Sequence, residues 1–567
     1  MSNPSLILPQ SPAYGEDYVY AAQVEDGAVP LYNVLPLTFT RASGGTRINK
    51  DGLVQNMPYN LIEQSNTFNT TWVSAGPGAT ITSGQTDPNA GSNAWLLSKL
   101  GATGRIQQTV NVGGVQTFFI YAKKNTSDYI LINVFDGTTS HECWFNLSTG
   151  AVGTQNSSTG AIESVGNGWY KCSVTSTNLF ASGIIQIYQS DGNGNVTGAS
   201  GSIYIFNSQL NIGSTAQPYL ATTDRLNMPR ITYPVGGGCG ALLLEPQRTN
   251  LVTYSEQFDN AAWSLSDLTI TANNAISPDG TQNADLISST SSVGLAYQVK
   301  TLSGLHTISA FFKAGTSVLP RLQFYDSGAG TSGIGSYNLS TQSVSTSGLS
   351  STGTITSCGN GWYRCTLTAN LSGSSINCFI GVDENAKNLL AWGAQVEASS
   401  YPTSYIPTTS ASATRIADAC YKTGISSLIG QTSGTMFVDF EITNAGGNQA
   451  MIITSAAGNE LNRLQIYFNS SLQVGAYRGD ASVFLVSGAY SVGQRIKAAV
   501  RYKLNDYAFY VNGVQIGTDT SASIPPTPSV VYLGTYVDQV ISNSIKINQS
   551  AIFAELTNAE LASLTTI

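Results

Sequence analysis

The sequence has little charge, almost no histidine and no long apolar run, and each shortage excludes a class of protein. Charged residues make up 10% of its 567 residues, and 25 Lys and Arg against 33 Asp and Glu give a formal net charge of −8. A protein that follows a nucleic-acid backbone needs a basic face, so a nucleic-acid partner is not expected. A membrane-spanning helix needs about 18 or more apolar residues in a row, so membrane insertion is not expected either.

Histidine is scarce, which limits the catalytic chemistry that the chain can support. The sequence holds two, His141 and His306. A Ser-His-Asp site or a His-rich metal site is hard to assemble from them. Glycan hydrolysis needs two carboxylates in one cleft, and the pair Asp383 and Glu384 lies in a turn-like segment that predicts a solvated loop. No catalytic residue is therefore predicted, and the chain is not expected to be an enzyme.

Cysteine is sparse and odd in number, with seven in the chain. Residues 1–9 lack the basic and long apolar regions of a signal peptide, so synthesis in the cytoplasm without secretion is expected. Thiols stay reduced in that compartment. Cys172 and Cys365 each follow Trp-Tyr and a basic residue, which predicts buried strand positions in the reduced state.

Turn-forming and β-favouring residues are abundant instead, with 57 Gly and 28 Tyr. Short runs of β-branched and aromatic residues end at Gly, Asn, Asp or Ser. They predict strands at 117–122, 129–135, 184–188, 434–442, 463–468, 496–502 and 507–511. Asn512-Gly513 predicts a hairpin turn, and a capping box at Thr557 and Glu560 predicts one helix near the C-terminal end. The predicted fold class is all-β, built from tandem antiparallel β-sandwiches with little helix.

One stretch of the sequence occurs twice. Residues 60–72 return at 250–263, an offset of 190 (250 − 60). The phrase Gly-Asn-Gly-Trp-Tyr at 166–170 returns at 359–363, an offset of 193 (359 − 166). Matches held in register over this length indicate two whole modules in series. Trp169 and Trp362 begin strands in the two copies, and we expect them to pack against the facing sheet of each sandwich.

The repeat, together with Gly and Pro residues at the boundaries, predicts five segments. They are an N-terminal segment at 1–58, a jelly-roll module at 59–225, a connector at 226–248, a second jelly-roll module at 249–412, and a C-terminal sandwich at 413–567.

The second copy carries an ordered series of motifs: Asn-Leu at 250–251, Pro-Asp-Gly-Thr at 278–281, Gly-Asn-Gly-Trp-Tyr-Arg-Cys at 359–365, Trp-Gly-Ala-Gln-Val-Glu at 392–397 and Tyr-Pro-Thr-Ser-Tyr at 401–405. This series resembles a jelly-roll module common in tailed-phage virion proteins, which is similar in architecture to carbohydrate-binding modules. Residues 39–43 and 240–251 resemble connectors of phage tail and head-fibre proteins. The C-terminal third, with Val-Arg-Tyr at 500–502 and Tyr-Val-Asn-Gly-Val at 510–514, resembles a laminin-G/concanavalin-A-like sandwich. The first copy departs from the series at its end, at 206–210 and 217–219.

The resemblance implies a structural protein of a tailed-phage virion, most readily a tail or head fibre that attaches to host-surface or environmental glycans. Two alternatives stay open: a capsid or tail decoration protein that contacts only virion neighbours, and a glycan depolymerase. The implied partners are other virion proteins, through the N-terminal segment, and further copies of the chain in a trimer. The implied location is the virion, after synthesis in the bacterial cytoplasm. No cofactor is predicted, and whether calcium fixes the sandwich loops is left open.

Glycan binding needs aromatic faces for sugar rings and short polar groups for hydroxyls. Two equivalent pairs at strand ends fit this pattern, Phe135 with Asp136 and Tyr325 with Asp326, although a core aromatic followed by a turn-forming Asp would read the same way. Trp144 and Trp95 have no aromatic counterpart in the second copy, where Ser336 and Asp285 stand. These two Trp are therefore further candidates, for contacts made by the first module alone.

Overall fold

This computed structural model describes most of the chain as two compact units. One is Met57–Met228; the other combines Met1–Asn56 with Pro229–Ile567. We call them the small unit and the large unit. The residues described are 4–9, 20–23, 34–41, 43–57, 60–110, 115–176, 183–212, 214, 216, 219, 221–222, 229–455, 462–478, 483–485, 490–538 and 541–567. For 4–9, 20–23, 34–36, 212, 374 and 483–485 the description covers the backbone alone.

Strands account for almost all of the regular structure, which confirms the predicted all-β class. The first six lie in the N-terminal segment: β1 (Pro4–Pro9), β2 (Tyr20–Gln23), β3 (Val34–Pro36), β4 (Thr38–Thr40), β5 (Gly45–Ile48) and β6 (Val54–Met57). Those of the first module are β7 (Val73–Ala75), β8 (Ala79–Gln85), β9 (Ala94–Lys99), β10 (Arg105–Val110), β11 (Gln116–Lys124), β12 (Tyr129–Phe135), β13 (Ser140–Asn146), β14 (Ala151–Asn156), β15 (Ser158–Gly166), β16 (Trp169–Ser176), β17 (Gly183–Ser190) and β18 (Gly201–Ile212).

The connector and second module follow the same pattern with longer strands. Their strands are β19 (Arg230–Thr232), β20 (Ala241–Leu244), β21 (Arg248–Asn250), β22 (Ser264–Ser266), β23 (Leu268–Ala275), β24 (Ala284–Ser289), β25 (Gly294–Ala314), β26 (Pro320–Asp326), β27 (Thr331–Asn338), β28 (Ser343–Ser347), β29 (Thr352–Ser357), β30 (Trp362–Val382) and β31 (Asn388–Glu397).

The last third contributes the remaining strands and the helices. They are β32 (Ala413–Arg415), β33 (Ala419–Lys422), a 3-10 turn (Ser426–Leu428), β34 (Ser433–Ile442), β35 (Asn448–Thr454), β36 (Arg463–Phe468), β37 (Val474–Arg478), β38 (Val483–Leu485), β39 (Arg495–Lys503), β40 (Tyr507–Val511), β41 (Val514–Asp519), β42 (Val530–Leu533), β43 (Ile545–Phe553) and helix α1 (Asn558–Thr565). The Thr557 capping box of α1 is confirmed. The Asn512-Gly513 hairpin turn is also confirmed, with positive φ at both of its residues.

The first module is a sandwich of two antiparallel six-stranded sheets. One sheet has the order β14-β13-β12-β17-β10-β7, and the other has the order β15-β16-β11-β18-β9-β8. Alternate side chains point inward and form one apolar core that includes Phe68, Trp72, Ile132 and Val174. The second module repeats this arrangement, but β25 and β30 are long enough to run through both layers.

The C-terminal residues form a third antiparallel sandwich, and it includes strands from the N-terminal segment. One sheet has the order β3-β2-β1-β43-β34-β39-β40-β41, and the other ends in β42-β33-β4. The packing of the N-terminal strands against residues that lie more than five hundred positions later explains why they belong to the same unit. Residues 10–19 and 24–33 lie outside the described residues. The attachment role of residues 1–58 stays a prediction.

The two repeat tryptophans are buried, but not between the sheets as predicted. Trp169 packs with Phe206 on the opposite side of its sheet from the core, at a ring-centroid distance of 6.3 Å. Trp362 likewise packs in a cluster with Trp392 and Tyr405. The inward positions belong to their neighbours Cys172 and Cys365, which are buried and reduced as predicted. Both sides of this sheet are covered, so alternation alone could not tell which side was the core.

Candidate functional site

Each jelly-roll module has one sheet whose outward side chains form a face on the side away from the core. In the second module this face consists of the outward residues of β25, β30, β26 and β27, and we call it the second-module face. The equivalent residues of β10, β17, β12 and β13 form the first-module face. The strands pair in register, so outward side chains from neighbouring strands stand side by side in rows.

The second-module face is aromatic at its centre. Tyr297 and Phe379 are cross-strand partners, and their rings lie 4.9 Å apart at 43°. In the next row stand Val299, Asn377 and Tyr325. Val299 is 53% exposed and Tyr325 is 38% exposed. Large apolar side chains on this outward row therefore offer ring and alkyl surface to a ligand.

Polar side chains extend the same face from its aromatic centre. Arg321 donates to Gln323 (Nε to Oε1, 3.0 Å) and to Asp383 (Nη1 to Oδ1, 3.2 Å). Gln323 donates in turn to the Ser332 hydroxyl at 3.1 Å, and the Ser336 hydroxyl donates to Asp383 at 3.0 Å. Asp383 lies in the turn-like segment after β30, as predicted, and its partly exposed carboxylate is held by Arg321 and Ser336. The network fixes a guanidinium, an amide and two hydroxyls beside the aromatic rings.

The first-module face is built from amides where the second has rings. Gln107, Gln186 and Asn133 replace Tyr297, Phe379 and Gln323 in one cross-strand row. Asn133 donates to Gln186 at 3.0 Å, and Gln186 donates to Gln107 at 3.2 Å. The two faces therefore offer different chemistry at equivalent places.

Three of the predicted site residues lie on these faces. Phe135 occupies the outward row beside Ser140 on the first-module face, and Tyr325 holds the equivalent position on the second. Trp144 also points to the first-module face, but it is 5% exposed and packs with Leu131 and Tyr188. Its indole donates to the Ser190 hydroxyl at 3.1 Å. Little of its ring is left for a sugar, so of the three only Phe135 and Tyr325 have ring surface open to solvent.

The two predicted aspartates serve the turns that follow their strands. Asp136 accepts from the Thr138 and Thr139 backbone N–H groups at 2.8 and 2.6 Å, and these bonds hold its pKa well below its usual range. It also lies 3.2 Å from the buried His141 ring. Asp326 is fully buried and accepts from the Ser372 backbone and hydroxyl at 2.8 and 2.7 Å. Their oxygens are committed to protein donors, and a direct glycan contact by either stays a prediction.

Trp95 lies away from both faces. Its ring belongs to the core of the first module, 6.3 Å from Phe68, and its indole donates to the Asn66 carbonyl at 2.9 Å. Asp285 stands at the equivalent position of the second module and accepts from the Phe258 backbone N–H at 2.8 Å. The difference between the copies thus concerns how a loop is tied to the core.

The sequence reasoning missed Tyr297, Phe379, Gln323 and Arg321. The available signal was alternation: Leu295, Tyr297 and Val299 share one side of a strand whose other side is also partly apolar. A strand with two apolar sides usually has both sides buried, which hides an exposed binding face in the sequence.

Metal and membrane features add little to the site. Among the residues that the structure describes, no three His, Cys, Asp or Glu side chains lie close enough together to hold a metal ion. In the described part of the chain, no helix has the length and apolar character to cross a membrane.

Comparison with known proteins gives matches among solved structures. No family model matches the chain, and no curated protein matches it. A CBM40 module of the Ruminococcus gnavus IT-sialidase, bound to α2,3-sialyllactose, is 15% identical over 24% of this chain and 84% of that one, with a TM-score of 0.22. The tandem CBM22 modules of Paenibacillus barcinonensis Xyn10C are 11% identical over 60% of this chain and 98% of that one, with a TM-score of 0.19. A putative carbohydrate-binding protein of Bacteroides ovatus is 8% identical over 53% and 81%, with a TM-score of 0.20. At such scores the similarity carries no conclusion about function.

Proposed function

We propose that this chain is a non-enzymatic structural protein of a tailed-phage virion, a tail or head fibre that attaches to glycans through its jelly-roll modules. The observation that carries the glycan-binding part is the second-module face, where exposed Tyr325 and the Tyr297–Phe379 ring pair adjoin a fixed polar network. Aromatic rings stack on the apolar sides of sugar rings, while amide and hydroxyl groups bond sugar hydroxyls. The virion part is supported by the motif series in the sequence.

The face suits neutral or weakly charged glycans. Arg321 is already paired with Asp383, so the face carries little unbalanced charge. Its rings and amides stand side by side in rows on a sheet, which suits an internal stretch of a polysaccharide. We further propose that virion neighbours are met through the N-terminal segment and that the chain acts as a trimer.

Tyr325→Ala is expected to weaken glycan binding by about tenfold, because it removes the most exposed ring of the face while leaving the core intact. The measurement is binding of the full chain to an array of bacterial and environmental polysaccharides, followed by titration of the best ligand. Gln323→Ala is expected to act in the same direction, since it breaks the link between Arg321 and Ser332.

Leu305→Ala is the matched control. Leu305 is a 52% exposed apolar residue of β25, the strand that also carries Tyr297, but it lies away from the face. Its truncation is expected to leave binding unchanged. Equal losses in Tyr325→Ala and Leu305→Ala, or wild-type protein that binds no polysaccharide, would count against the glycan-binding proposal. Release of reducing sugar from a bound polysaccharide would favour the depolymerase instead.

Antibody labelling of virions tests the location separately. Labelled fibres on tails or heads are expected; label spread evenly over the capsid would favour a decoration protein. Label on no part of the virion would contradict the virion assignment while leaving the glycan-binding result untouched.

A further inference from the structure

The small unit has a cleft on the sheet opposite to the first-module face. It lies on the outward side of β15, β16 and β11 and has a volume of about 380 Å³. That volume falls in the range of small-ligand sites. Its lining side chains include Thr117, Thr159, Glu163, Lys171, Ser173 and Thr175. This cleft, which we call the outer cleft, is separate from both faces described above.

Strand register explains why a hollow forms here. Three cross-strand rows cross the surface: Thr117 with Thr175 and Thr159, Phe119 with Ser173 and Ala161, and Tyr121 with Lys171 and Glu163. The middle row has two small side chains, at Ser173 and Ala161, between taller ones on either side. Space is therefore left above Ser173, with hydroxyls along one wall and charges along the other.

The charged wall of the cleft has two side chains that can form further hydrogen bonds. Lys171 and Glu163 are direct cross-strand partners. The Lys171 ammonium lies 4.3 Å from the centroid of the Phe119 ring, and Glu163 is exposed. Within the part of the chain that the structure describes, neither charged group forms an ion pair or a hydrogen bond through its side chain. A ligand can thus use an ammonium donor and a carboxylate acceptor without displacing protein partners.

In the second module, the side chain of Arg364 occupies the position that corresponds to the outer cleft. Arg364 stands where Lys171 stands in the first copy, and its Nη2 donates at 2.9 Å to Ser309, the counterpart of Phe119. Its Nη1 donates to the Thr403 carbonyl at 2.7 Å. Thr354 and Thr366 in the middle row bond each other at 2.7 Å, and Thr356 replaces Glu163. The duplicated scaffold therefore has this position satisfied internally in one copy and open in the other.

We propose that the outer cleft of the first module is a second carbohydrate site, one that takes a single neutral sugar residue at the end of a glycan. A sugar hydroxyl both donates and accepts hydrogen bonds. Two adjacent hydroxyls can therefore donate to the Glu163 carboxylate and accept from the Lys171 ammonium, while the Thr159 hydroxyl contacts the far side of the ring. Thr117 and Thr175 bond each other at 2.9 Å and form the floor of that wall. The two charges of the lining cancel, which favours a neutral sugar over an acidic one.

Saturation-transfer NMR on the full chain tests this site with methyl glycosides of glucose, galactose, mannose and N-acetylglucosamine, and with methyl glucuronide as the acidic contrast. We expect transfer to at least one neutral glycoside and weaker transfer to the glucuronide. Glu163→Ala, at an exposed position, is expected to weaken that binding about tenfold. Ser173→Phe is expected to abolish it, because the phenyl ring fills the hollow at a site where a strand accepts aromatic residues.

Thr356→Ala is the matched control, since it alters the equivalent position of the second module. It is expected to leave the signal unchanged, and circular dichroism checks that each variant is folded. The absence of transfer to every neutral glycoside, or binding that survives both Glu163→Ala and Ser173→Phe, would overturn the outer-cleft site. The two proposals can also fail separately. If Tyr325→Ala loses array binding, Glu163→Ala keeps it, and the wild type shows no saturation transfer, the outer-cleft site is overturned and the second-module face is supported.

Discussion

Asp418→Asn is expected to lower the free energy of unfolding of the large unit by about 3–5 kcal/mol, the cost of leaving a buried charge without its partner. The Asp418 carboxylate accepts from Arg41 Nη1 at 3.0 Å, from Arg230 and from the Glu245 backbone N–H at 2.9 Å. Both side chains of the Arg41–Asp418 pair are fully buried. An amide of the same shape keeps the space filled but removes the negative charge that these donors need.

The loss is large because the cluster already has more cations than anions. Three guanidiniums, on Arg41, Arg230 and Arg415, face two carboxylates, on Glu245 and Asp418. Burial lowers the pKa of Arg41 to about 10, and the neighbouring Arg230 acts in the same direction. Burial alone would raise the pKa of Glu245, but Arg415 and Arg230 hold it at about 2. Removing one of the two anions raises the surplus of buried positive charge from one to two.

Because the surplus charge of the cluster is positive, a variant that removes a cation is the control. Arg41→Met removes one of three cations and leaves the charges balanced, so it is expected to cost much less than Asp418→Asn. Asp128→Asn, in an exposed pair with Lys124, is expected to change stability by less than about 1 kcal/mol. Hydrogen exchange of peptides that cover 230–248 and 413–422 reports the loss in the large unit directly. A cost for Arg41→Met equal to that for Asp418→Asn would show that packing, and not charge balance, dominates the cluster.

Sequence pattern could predict many of the strands of both units but not this cluster. The predicted strand at 129–135 coincides with β12, and that at 507–511 coincides with β40, because alternation and flanking turn residues are local signals. Arg41 and Asp418 are 377 residues apart. Nothing local in the sequence links them, since their contact depends on N-terminal strands that pair with the C-terminal sandwich.

The candidate site was predictable in part for a related reason. Phe135 and Tyr325 were found because each ends a strand before a turn-forming Asp, and both lie on the solvent-facing rows. Tyr297 and Phe379 were not found, because their importance depends on a cross-strand pair between residues 82 positions apart (379 − 297). The outer cleft was signalled only by the Lys171/Arg364 difference between the copies, whose meaning depends on which side of the sheet those residues occupy.

Glu256→Gln is expected to stabilise the large unit above pH 7 by about 2 kcal/mol and to leave it unchanged below about pH 4.5. Burial, with Asp279 close by, raises the pKa of Glu256 from 4.5 to about 7. The folded chain therefore holds a proton that the unfolded chain releases between these two values, so stability falls as pH rises across that window. A shift of this size corresponds to about 3 kcal/mol, and solvent access to the partly exposed side chain reduces it to about 2 kcal/mol.

Glutamine can replace the protonated acid without leaving a donor stranded. Glu256 accepts from the Tyr405 hydroxyl at 3.0 Å and from the Asn283 amide at 3.1 Å. The oxygen of the new Gln amide can still accept from Asn283, and its NH2 group can donate to the Tyr405 hydroxyl, whose own proton is then donated to the Ser255 hydroxyl. The first module has Asn66 at the position of Glu256, which shows that an amide is compatible with this fold.

Urea unfolding at pH 4.5, 6 and 8 measures the difference between variant and wild type, in which the other titrating groups cancel. The gain is expected to grow with pH and level off above pH 7. Glu555→Gln is the control, since Glu555 forms an exposed pair with Lys503 and its loss is expected to give a small difference that does not vary with pH. A difference between Glu256→Gln and the wild type that is the same at pH 4.5 and pH 8 would show that folding does not raise the pKa of Glu256.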